Sequence, residues 1–169
     1  GVDIKDYKST ERYIKVSKDN SMFVAVNFMK SYASKTSEFV IAAKHAASCG
    51  ADLVYIVDSA GGMLPHELSK YISELKKNVD IPFGFHGHNN LHLSNSNTLL
   101  ALSQGAQVVD ASLQGLGRSA GNASLEAIVF LLLRYGFRLK LDPLKLLEVS
   151  EKYIIPLMKD PGKSRSLDL

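Results

Sequence analysis

The sequence predicts an α/β protein in which crossover helices cover a parallel β-sheet. Short runs of β-forming residues alternate with segments of helical periodicity, and Gly-rich or polar turns join them. In addition, each predicted strand ends in small or polar residues, namely Asn27, Asp58-Ser59, His86-Gly87-His88 and Asp110-Ala111-Ser112. Because ligands bind at the carboxyl edge of such sheets, these residues mark the candidate site.

Four β-α units follow one another along the chain. The predicted strands cover residues 22–28, 52–58, 81–86 and 107–112, and the predicted helices cover residues 36–49, 65–77, 93–104 and 122–135. Apolar residues at helical spacing before Gly50 indicate the first helix, and Pro65 opens the second. We also expect a last helix over residues 143–158 and the remnant of another strand at residues 1–4.

Two parallel architectures fit this pattern, an open doubly wound sheet and a (β/α)8 barrel. A complete barrel needs ~250 residues and eight strands, whereas this chain of 169 residues has four clear ones. A barrel would therefore be a partial one. We expect it to occupy residues 1–160, with a tail over residues 161–169.

Composition excludes several classes of protein. With 46% apolar residues, 22% charged residues and a net charge of +3, the chain resembles an ordinary globular domain. The charges form no basic run, so nucleic acid is not an expected partner. Cys49 is the only cysteine, which excludes an internal disulfide and fits a reducing compartment. No segment reaches the roughly 20 apolar residues of a membrane span, and we expect a cytoplasmic protein.

Two histidines at the end of the third predicted strand are the main chemical motif. Side chains alternate along a strand, so His86 and His88 face the same side and can share a divalent cation, with Gly87 leaving the opposite face bare. An open site of this kind suits Lewis-acid catalysis. The alternative is that both histidines only form hydrogen bonds in a strand-to-helix loop, with Asn90 capping the next helix. The remaining histidines have no such pattern: we expect His45 and His66 at the surface without partners, and His92 near the next helix start.

The glycine-rich segment before the predicted helix at 122–135 has three interpretations. Backbone amides around Gly115, Gly117 and Gly121 can cradle a carboxylate or phosphate. The same spacing, followed by Asp142, imitates a dinucleotide-binding fingerprint, and a third interpretation is a loop that only turns the chain. The Asp58-Ser59 loop is similarly open, since it can contact substrate oxygens or only hold its own backbone.

The order of these motifs resembles one family. Asp58-Ser-Ala-Gly-Gly-Met63, His86-Gly-His-Asn-Asn-Leu91, Asn95-Ser-Asn97 and Asp110-Ala-Ser-Leu-x-Gly-Leu-Gly-x-x-Ala-Gly-Asn-Ala-x-Leu-Glu126 are similar to motifs of the DRE-TIM metallolyases. That superfamily contains 4-hydroxy-2-oxovalerate aldolase, 3-hydroxy-3-methylglutaryl-CoA lyase, isopropylmalate synthase and homocitrate synthase. The resemblance covers nearly the whole chain. The Asp-Ala-Ser-Leu motif and Tyr153-Ile-Ile-Pro-Leu157 look closer to the aldolase branch than to the synthases.

The resemblance implies a (β/α)8 TIM barrel and a divalent metal, typically Mn²⁺, with Mg²⁺ or Zn²⁺ as alternatives. His86 and His88 match the two histidine ligands, and His86 also matches a position beside the substrate's keto group. Ser59 matches a substrate-contact position, and Asn122 matches an asparagine that approaches the metal. The implied partners are a small 2-oxoacid substrate, further copies of the same chain and an aldehyde dehydrogenase.

The implied reaction is retro-aldol cleavage of a 4-hydroxy-2-oxoacid to pyruvate and an aldehyde, with an acyl-CoA-dependent synthase as the enzymatic alternative. The sequence departs from the family in two places. Arg118-Ser119 replaces the Glu-Arg pair of the synthases, and nothing matches the Asp-Arg-Glu strand that supplies the third metal ligand. We therefore expect the chain to be a C-terminal half barrel. No catalytic residue is identified within it, and we expect it to be inactive alone. A further alternative is a non-catalytic half barrel that self-associates.

Overall fold

The strand order identifies the architecture. The computed structural model describes residues 1–158, so the predicted tail over residues 161–169 and the domain boundary at residue 160 lie outside the described residues. One parallel sheet contains five strands, β1 (Val2–Asp3), β2 (Ala25–Met29), β3 (Leu53–Asp58), β4 (Phe83–Gly87) and β5 (Val108–Val109). Neighbouring strands follow chain order throughout. Because doubly wound sheets reverse their order at a switch point, sequential order favours part of a (β/α)8 barrel.

Helices alternate with these strands. They are α1 (Thr10–Asp19), α2 (Thr36–Ser48), α3 (Pro65–Asn78), α4 (Ser94–Ser103), α5 (Leu125–Arg134) and α6 (Pro143–Val149). The sequence predicted α2 to α5, and their ends differ from the prediction by a few residues only. Among the helices described in residues 1–158, none combines the length and apolar character needed to cross a bilayer.

Three elements differ from the prediction. Helix α1 was not predicted, because only Thr10 and Ile14 within it are buried and its other large apolar residues, Tyr13 and Val16, are exposed. Strand β5 is shorter than residues 107–112, because Ser112 leaves the sheet and forms a bridge with Ser124. The predicted helix over residues 143–158 ends early at Val149.

The end of α6 has two physical causes. A π-helical turn (Ser150–Ile154) follows, in which the buried Ser150 hydroxyl donates a hydrogen bond to Glu126 on α5. A 3-10 turn (Ile155–Leu157) comes next, at Pro156, which has no N–H to continue a helical ladder. The chain therefore stays helical from Pro143 to Leu157 but changes its hydrogen-bonding pattern twice.

The sheet separates two apolar layers. On the outer face, side chains of α2, α3 and α4 pack against β2, β3 and β4, and the fully buried residues Phe28, Phe39, Ile56 and Phe85 lie in this layer. On the inner face, Leu53, Tyr55 and Val57 of β3 form a smaller buried cluster. Strand β3 is buried on both faces, as expected of a central strand in a parallel sheet. The inner face leads to the carboxyl edge, where the candidate site lies.

Candidate active site at the carboxyl edge of the sheet

His86 and His88 lie together at the end of β4, on the inner face of the sheet. Their ring centroids are 5.1 Å apart and the rings are nearly perpendicular, at 77°. The alternation rule therefore places them as predicted. The expectation for Gly87 is wrong, because its outer side is not bare: a Cβ there would lie 2.9 Å from the Phe85 ring and 3.8 Å from the Ser94 Cα on α4.

A carboxylate holds the first imidazole. Asp110, just after β5, accepts a hydrogen bond from His86, with 3.0 Å between Nδ1 of His86 and Oδ2 of Asp110. This bond lowers the pKa of Asp110 against the opposing effect of burial, and the hydroxyl of Tyr55, 3.1 Å from Oδ1, lowers it further. A histidine held through Nδ1 has Nε2 free to bind a metal, the usual arrangement in metal sites.

The second imidazole has a buried nitrogen without a hydrogen-bond partner. Nδ1 of His88 is inaccessible to solvent and has no hydrogen-bond partner, and the same is true of Oδ1 of Asn122. The backbones of His88 and Asn122 pair in an isolated antiparallel β-bridge. Burial lowers the pKa of His88, and the charges of His86 and Arg118 add to this effect. An unpaired buried polar atom costs about 1–3 kcal/mol, and the neutral imidazole is the form that binds metals. Both features fit a divalent cation at this pair.

The described residues place two candidate ligands, His86 and His88, beside each other at this edge. Within residues 1–158, no group of three His, Cys, Asp or Glu residues with ligand atoms within 4.8 Å of one another contains His86 and His88. Asp110 contacts Nδ1 of His86 and so acts as its orienting partner. The third ligand, which the resemblance assigns to an Asp-Arg-Glu strand, therefore stays a prediction about the longer protein.

Asp58 holds its own loop. This carboxylate is 1% exposed and accepts hydrogen bonds from the backbone amides of Gly62, at 3.2 Å, and Met63, at 2.9 Å. Burial raises the pKa of Asp58 in spite of these bonds. The loop is pressed against the histidine segment, since a Cβ at Gly61 would lie 2.6 Å from the Asn90 amide nitrogen. Asp58 thus positions the segment that carries His88.

Ser59 and Arg118 meet at the mouth of the site. The hydroxyl of Ser59 accepts a hydrogen bond from the Lys30 amide at 3.0 Å, and the Arg118 guanidinium donates to the Ser59 carbonyl at 3.1 Å. The structure therefore brings Ser59 beside the loop that carries Asn122. Arg118 was singled out from the sequence only as a departure from the synthase pattern.

Asn90 does not cap α4. Its Nδ2 donates to the Ala60 carbonyl at 2.9 Å and its Oδ1 accepts from the Ala120 amide at 3.1 Å, so that it links two other loops. Leu93 occupies the position before α4 and forms no side-chain cap. The Ser94 amide is satisfied by Asn89, whose Oδ1 accepts from both the amide and the hydroxyl of Ser94.

The glycine-rich loop bonds mainly to itself and its neighbours. The amides of Gly115, Leu116, Gly121 and Asn122 all donate to carbonyls of the same loop, which argues against an anion cradle. Asp142 accepts from the amides of Leu144 and Lys145 and caps α6. These contacts argue against the dinucleotide interpretation and fit a loop that turns the chain. Gly117 is needed for close packing, since a Cβ there would lie 2.5 Å from Nδ2 of Asn122.

The other histidines lie away from this edge. His66 and His92 are exposed, and His92 precedes the start of α4, as expected. His45 contradicts the prediction, because it is half-buried and contacts both Tyr7 and Cys49.

Sequence reasoning missed Tyr55 and the pairing of Asp110 with His86. The detectable feature was Gly84, which lies opposite Tyr55 in the strand register and leaves space for its ring.

Comparisons with known proteins agree with this geometry. The HMGL-like family profile matches residues 3–152. The 4-hydroxy-2-oxovalerate aldolase of Geobacillus thermodenitrificans is 44% identical over 138 residues, which cover 81% of this chain and 40% of the relative. The 4-hydroxy-2-oxovalerate aldolase of Carboxydothermus hydrogenoformans is 40% identical, and the match covers 89% of this chain and 45% of that relative.

Solved structures share the fold. The N-terminal domain of a proposed aldolase from Bacteroides vulgatus superposes with a TM-score of 0.83 at 28% identity and covers 96% of this chain and 54% of that one. The HMG-CoA lyase of Bacillus subtilis superposes with a TM-score of 0.78 at 18% identity and covers 86% of this chain and 53% of that one.

The chain spans less than half the length of the curated relatives that it matches. The profile match nevertheless includes β2 to β5 and the histidine pair. The chain therefore belongs to the HMGL-like family.

Proposed function

We propose that the protein containing this chain is a divalent-metal-dependent aldolase that cleaves a 4-hydroxy-2-oxoacid to pyruvate and an aldehyde. The observation that carries the proposal is the histidine pair, with His86 held by Asp110 and a buried, unpartnered Nδ1 on His88. The names of the relatives support an aldolase over a synthase. No observation on the described residues favours acyl-CoA chemistry.

In this proposal each residue has a distinct role. His86 and His88 bind the cation, Mn²⁺ by family resemblance, with Mg²⁺ or Zn²⁺ as alternatives. When bound, such a cation polarises the substrate's 2-oxo group as a Lewis acid. Asp110 fixes the ring of His86, and its low pKa keeps it ionised at neutral pH. Ser59 and Asn122 contact the substrate's oxygens in this proposal, as the family resemblance implies.

Tyr55 supports the carboxylate and does not act as the proton acceptor. Its hydroxyl donates to Asp110, and burial followed by the charge of Asp110 raises the pKa of Tyr55 to about 12. A phenol with this pKa keeps its proton at neutral pH. The base that removes the 4-hydroxyl proton and the third metal ligand are therefore both assigned to the longer protein, and we expect the isolated chain to be inactive. A homo-oligomer and an aldehyde dehydrogenase that takes up the product are part of the same proposal.

The test uses the full-length protein. Manganese binding is measured by calorimetry at neutral pH, and pyruvate release is measured with 4-hydroxy-2-oxovalerate, for the native protein, the His86→Ala/His88→Ala variant and a His66→Ala control. We expect the double variant to lose both binding and pyruvate release while the control keeps both. Pyruvate release that survives in the double variant would refute the metal site, and turnover that requires acetyl-CoA would identify a synthase.

A further inference from the structure

A second group of metal-ligating side chains lies where α1 meets the C-terminal end of α2. Glu11 of α1, His45 of α2 and Cys49, which caps α2, place their ligand atoms within 4.8 Å of one another. It is the one such group of three or more within residues 1–158. The end of α2 leads into the start of β3, so this group lies at the amino edge of the sheet, opposite His86 and His88.

The spacing of these atoms fits a tetrahedral metal site. His45 and Cys49 are four residues apart and face the same side, with 3.7 Å between Sγ and Nε2. Tetrahedral Zn²⁺, with Zn–S of about 2.3 Å and Zn–N of about 2.0 Å, separates a sulfur from a nitrogen ligand by about 3.6 Å. Two ligands are therefore already at binding distance. Glu11 is exposed, and its side chain can move the remaining distance.

Neighbouring contacts hold the two half-buried ligands. The ring of Tyr7 packs edge-on against that of His45, with centroids 5.1 Å apart, and Cys49 packs against the main apolar core. A thiolate with an imidazole favours Zn²⁺ over Mg²⁺, Ca²⁺ or Mn²⁺, which prefer oxygen ligands. Three protein ligands leave a fourth position for water.

We propose that Glu11, His45 and Cys49 bind Zn²⁺ and so tie α1 to α2. The site is separate from the proposed catalytic metal in position and in ligand chemistry. In the alternative, Cys49 and His45 form only a thiol–imidazole hydrogen bond, and Glu11 is an unrelated surface residue. The two differ in whether a metal binds through all three side chains.

Cobalt substitution separates these alternatives. Cys49 is the only cysteine in the chain of 169 residues, so thiolate-to-cobalt charge-transfer absorption reports on this site alone. We expect Co²⁺ to produce that absorption in the His86→Ala/His88→Ala background and Zn²⁺ to displace it. Cys49→Ser should abolish it. Loss of even an outer-sphere partner costs about 10–100-fold in metal affinity, so His45→Ala should weaken Co²⁺ binding by at least that factor. The control His66→Ala should leave the Co²⁺ affinity unchanged.

A second variant controls for the possibility that a substitution abolishes binding only by misfolding the chain. Glu11→Gln alters an exposed side chain on α1 and should reduce the affinity for Co²⁺. It should also reduce the rise in melting temperature that Zn²⁺ produces in the chain without this substitution. Absence of the charge-transfer band at saturating Co²⁺ would overturn the proposal. A band whose affinity is unchanged in both Glu11→Gln and His45→Ala would also overturn it, because the thiolate would then bind cobalt without the other two side chains.

Discussion

At the scale of single residues, Gly84 shapes the candidate site by lacking a side chain. It lies opposite Tyr55 in the register of β3 and β4, and a Cβ there would be 2.7 Å from Cε1 of the Tyr55 ring. The ring fills this space, and its hydroxyl reaches Asp110. The glycine before the histidine pair thus accommodates the tyrosine that supports the orienting carboxylate.

Gly84→Ala should displace Tyr55 and break its hydrogen bond to Asp110. Overpacking of this kind costs about 1–3 kcal/mol of unfolding free energy, measured by urea denaturation. Spectrophotometric titration should also show the pKa of Tyr55 moving down from about 12. Gly62→Ala is the matched control, because a Cβ there meets nothing closer than 4.0 Å. Equal stability of the two variants would contradict the packing argument.

Asp110→Asn tests the orienting role directly. The amide keeps the shape of the side chain but removes the charge that holds the ring of His86. We expect the affinity of the full-length protein for Mn²⁺ to fall by about 10–100-fold, as measured by calorimetry. Asp80→Asn, at an exposed position before β4, should leave the affinity unchanged. An unchanged affinity in Asp110→Asn would mean that the carboxylate is not a partner of a metal-binding imidazole.

At the scale of elements, a buried carboxylate joins three segments around α5. Glu126 accepts hydrogen bonds from the Gln114 amide at 2.9 Å, from the Ser124 hydroxyl at 2.7 Å and from the Ser150 hydroxyl of the π-helical turn. Burial by itself would raise the pKa of Glu126, but the hydrogen bonds from Ser150, Gln114 and Ser124 together lower it. The glycine-rich loop is therefore fixed to the C-terminal part of the described chain by an ionised group.

This network makes stability depend on pH. A carboxyl group whose pKa is lowered by folding stabilises the native state fully above its unfolded pKa of about 4.3, and the stabilisation is lost as the pH falls through the lower folded value. Glu126→Gln should therefore cost about 1–3 kcal/mol near neutral pH, and the difference from the native chain should shrink below about pH 4. Glu148→Gln, exposed on α6, is the control. A difference that does not vary with pH would show that the charge is irrelevant.

Local sequence predicted the elements that carry strong patterns. Buried apolar residues at helical spacing mark α2 and α3, and Pro65 marks the start of α3. Helix α1 contains few apolar residues, and Ile14 is the one large apolar side chain that it buries. After α6, Pro156 is a local signal for the 3-10 turn, whereas the π-helical turn carries a hydrogen bond between Ser150 and Glu126, which are far apart in sequence.

The candidate site also has one part that local sequence predicts and one part that it does not. The shared face of His86 and His88 follows from strand alternation, which is a local rule. The contacts of Asp110 with His86 and Tyr55 depend on which strands are neighbours, and a β-α repeat fits both a sequential and a reversed strand order. The resemblance to the family supplied the barrel, whereas the sequence alone left both architectures open.

At the scale of the whole molecule, the sheet has two short open edges and an uncovered apolar surface. The outermost strands, β1 and β5, are two residues long each, and each pairs with a single neighbour among the described strands. Beyond β5, large apolar side chains are exposed on and around α5 and α6; they include Phe130, Leu133, Tyr135, Phe137, Leu144, Tyr153 and Leu157. A concentration of large exposed apolar side chains in one part of a protein indicates an interface when the side chains form a continuous patch.

The chain of 169 residues should therefore self-associate when it is studied alone. Sedimentation equilibrium should give an apparent mass that rises with concentration, because association covers the apolar surface and the unpaired edges. The variant Phe137→Glu/Leu144→Glu places charges on side chains that are 52% and 72% exposed and should shift the equilibrium towards monomer. Ile41→Glu, 54% exposed on the outer side of α2, should not. A monomer at every concentration would contradict the prediction, and equal effects of the two variants would move the interface away from α5 and α6.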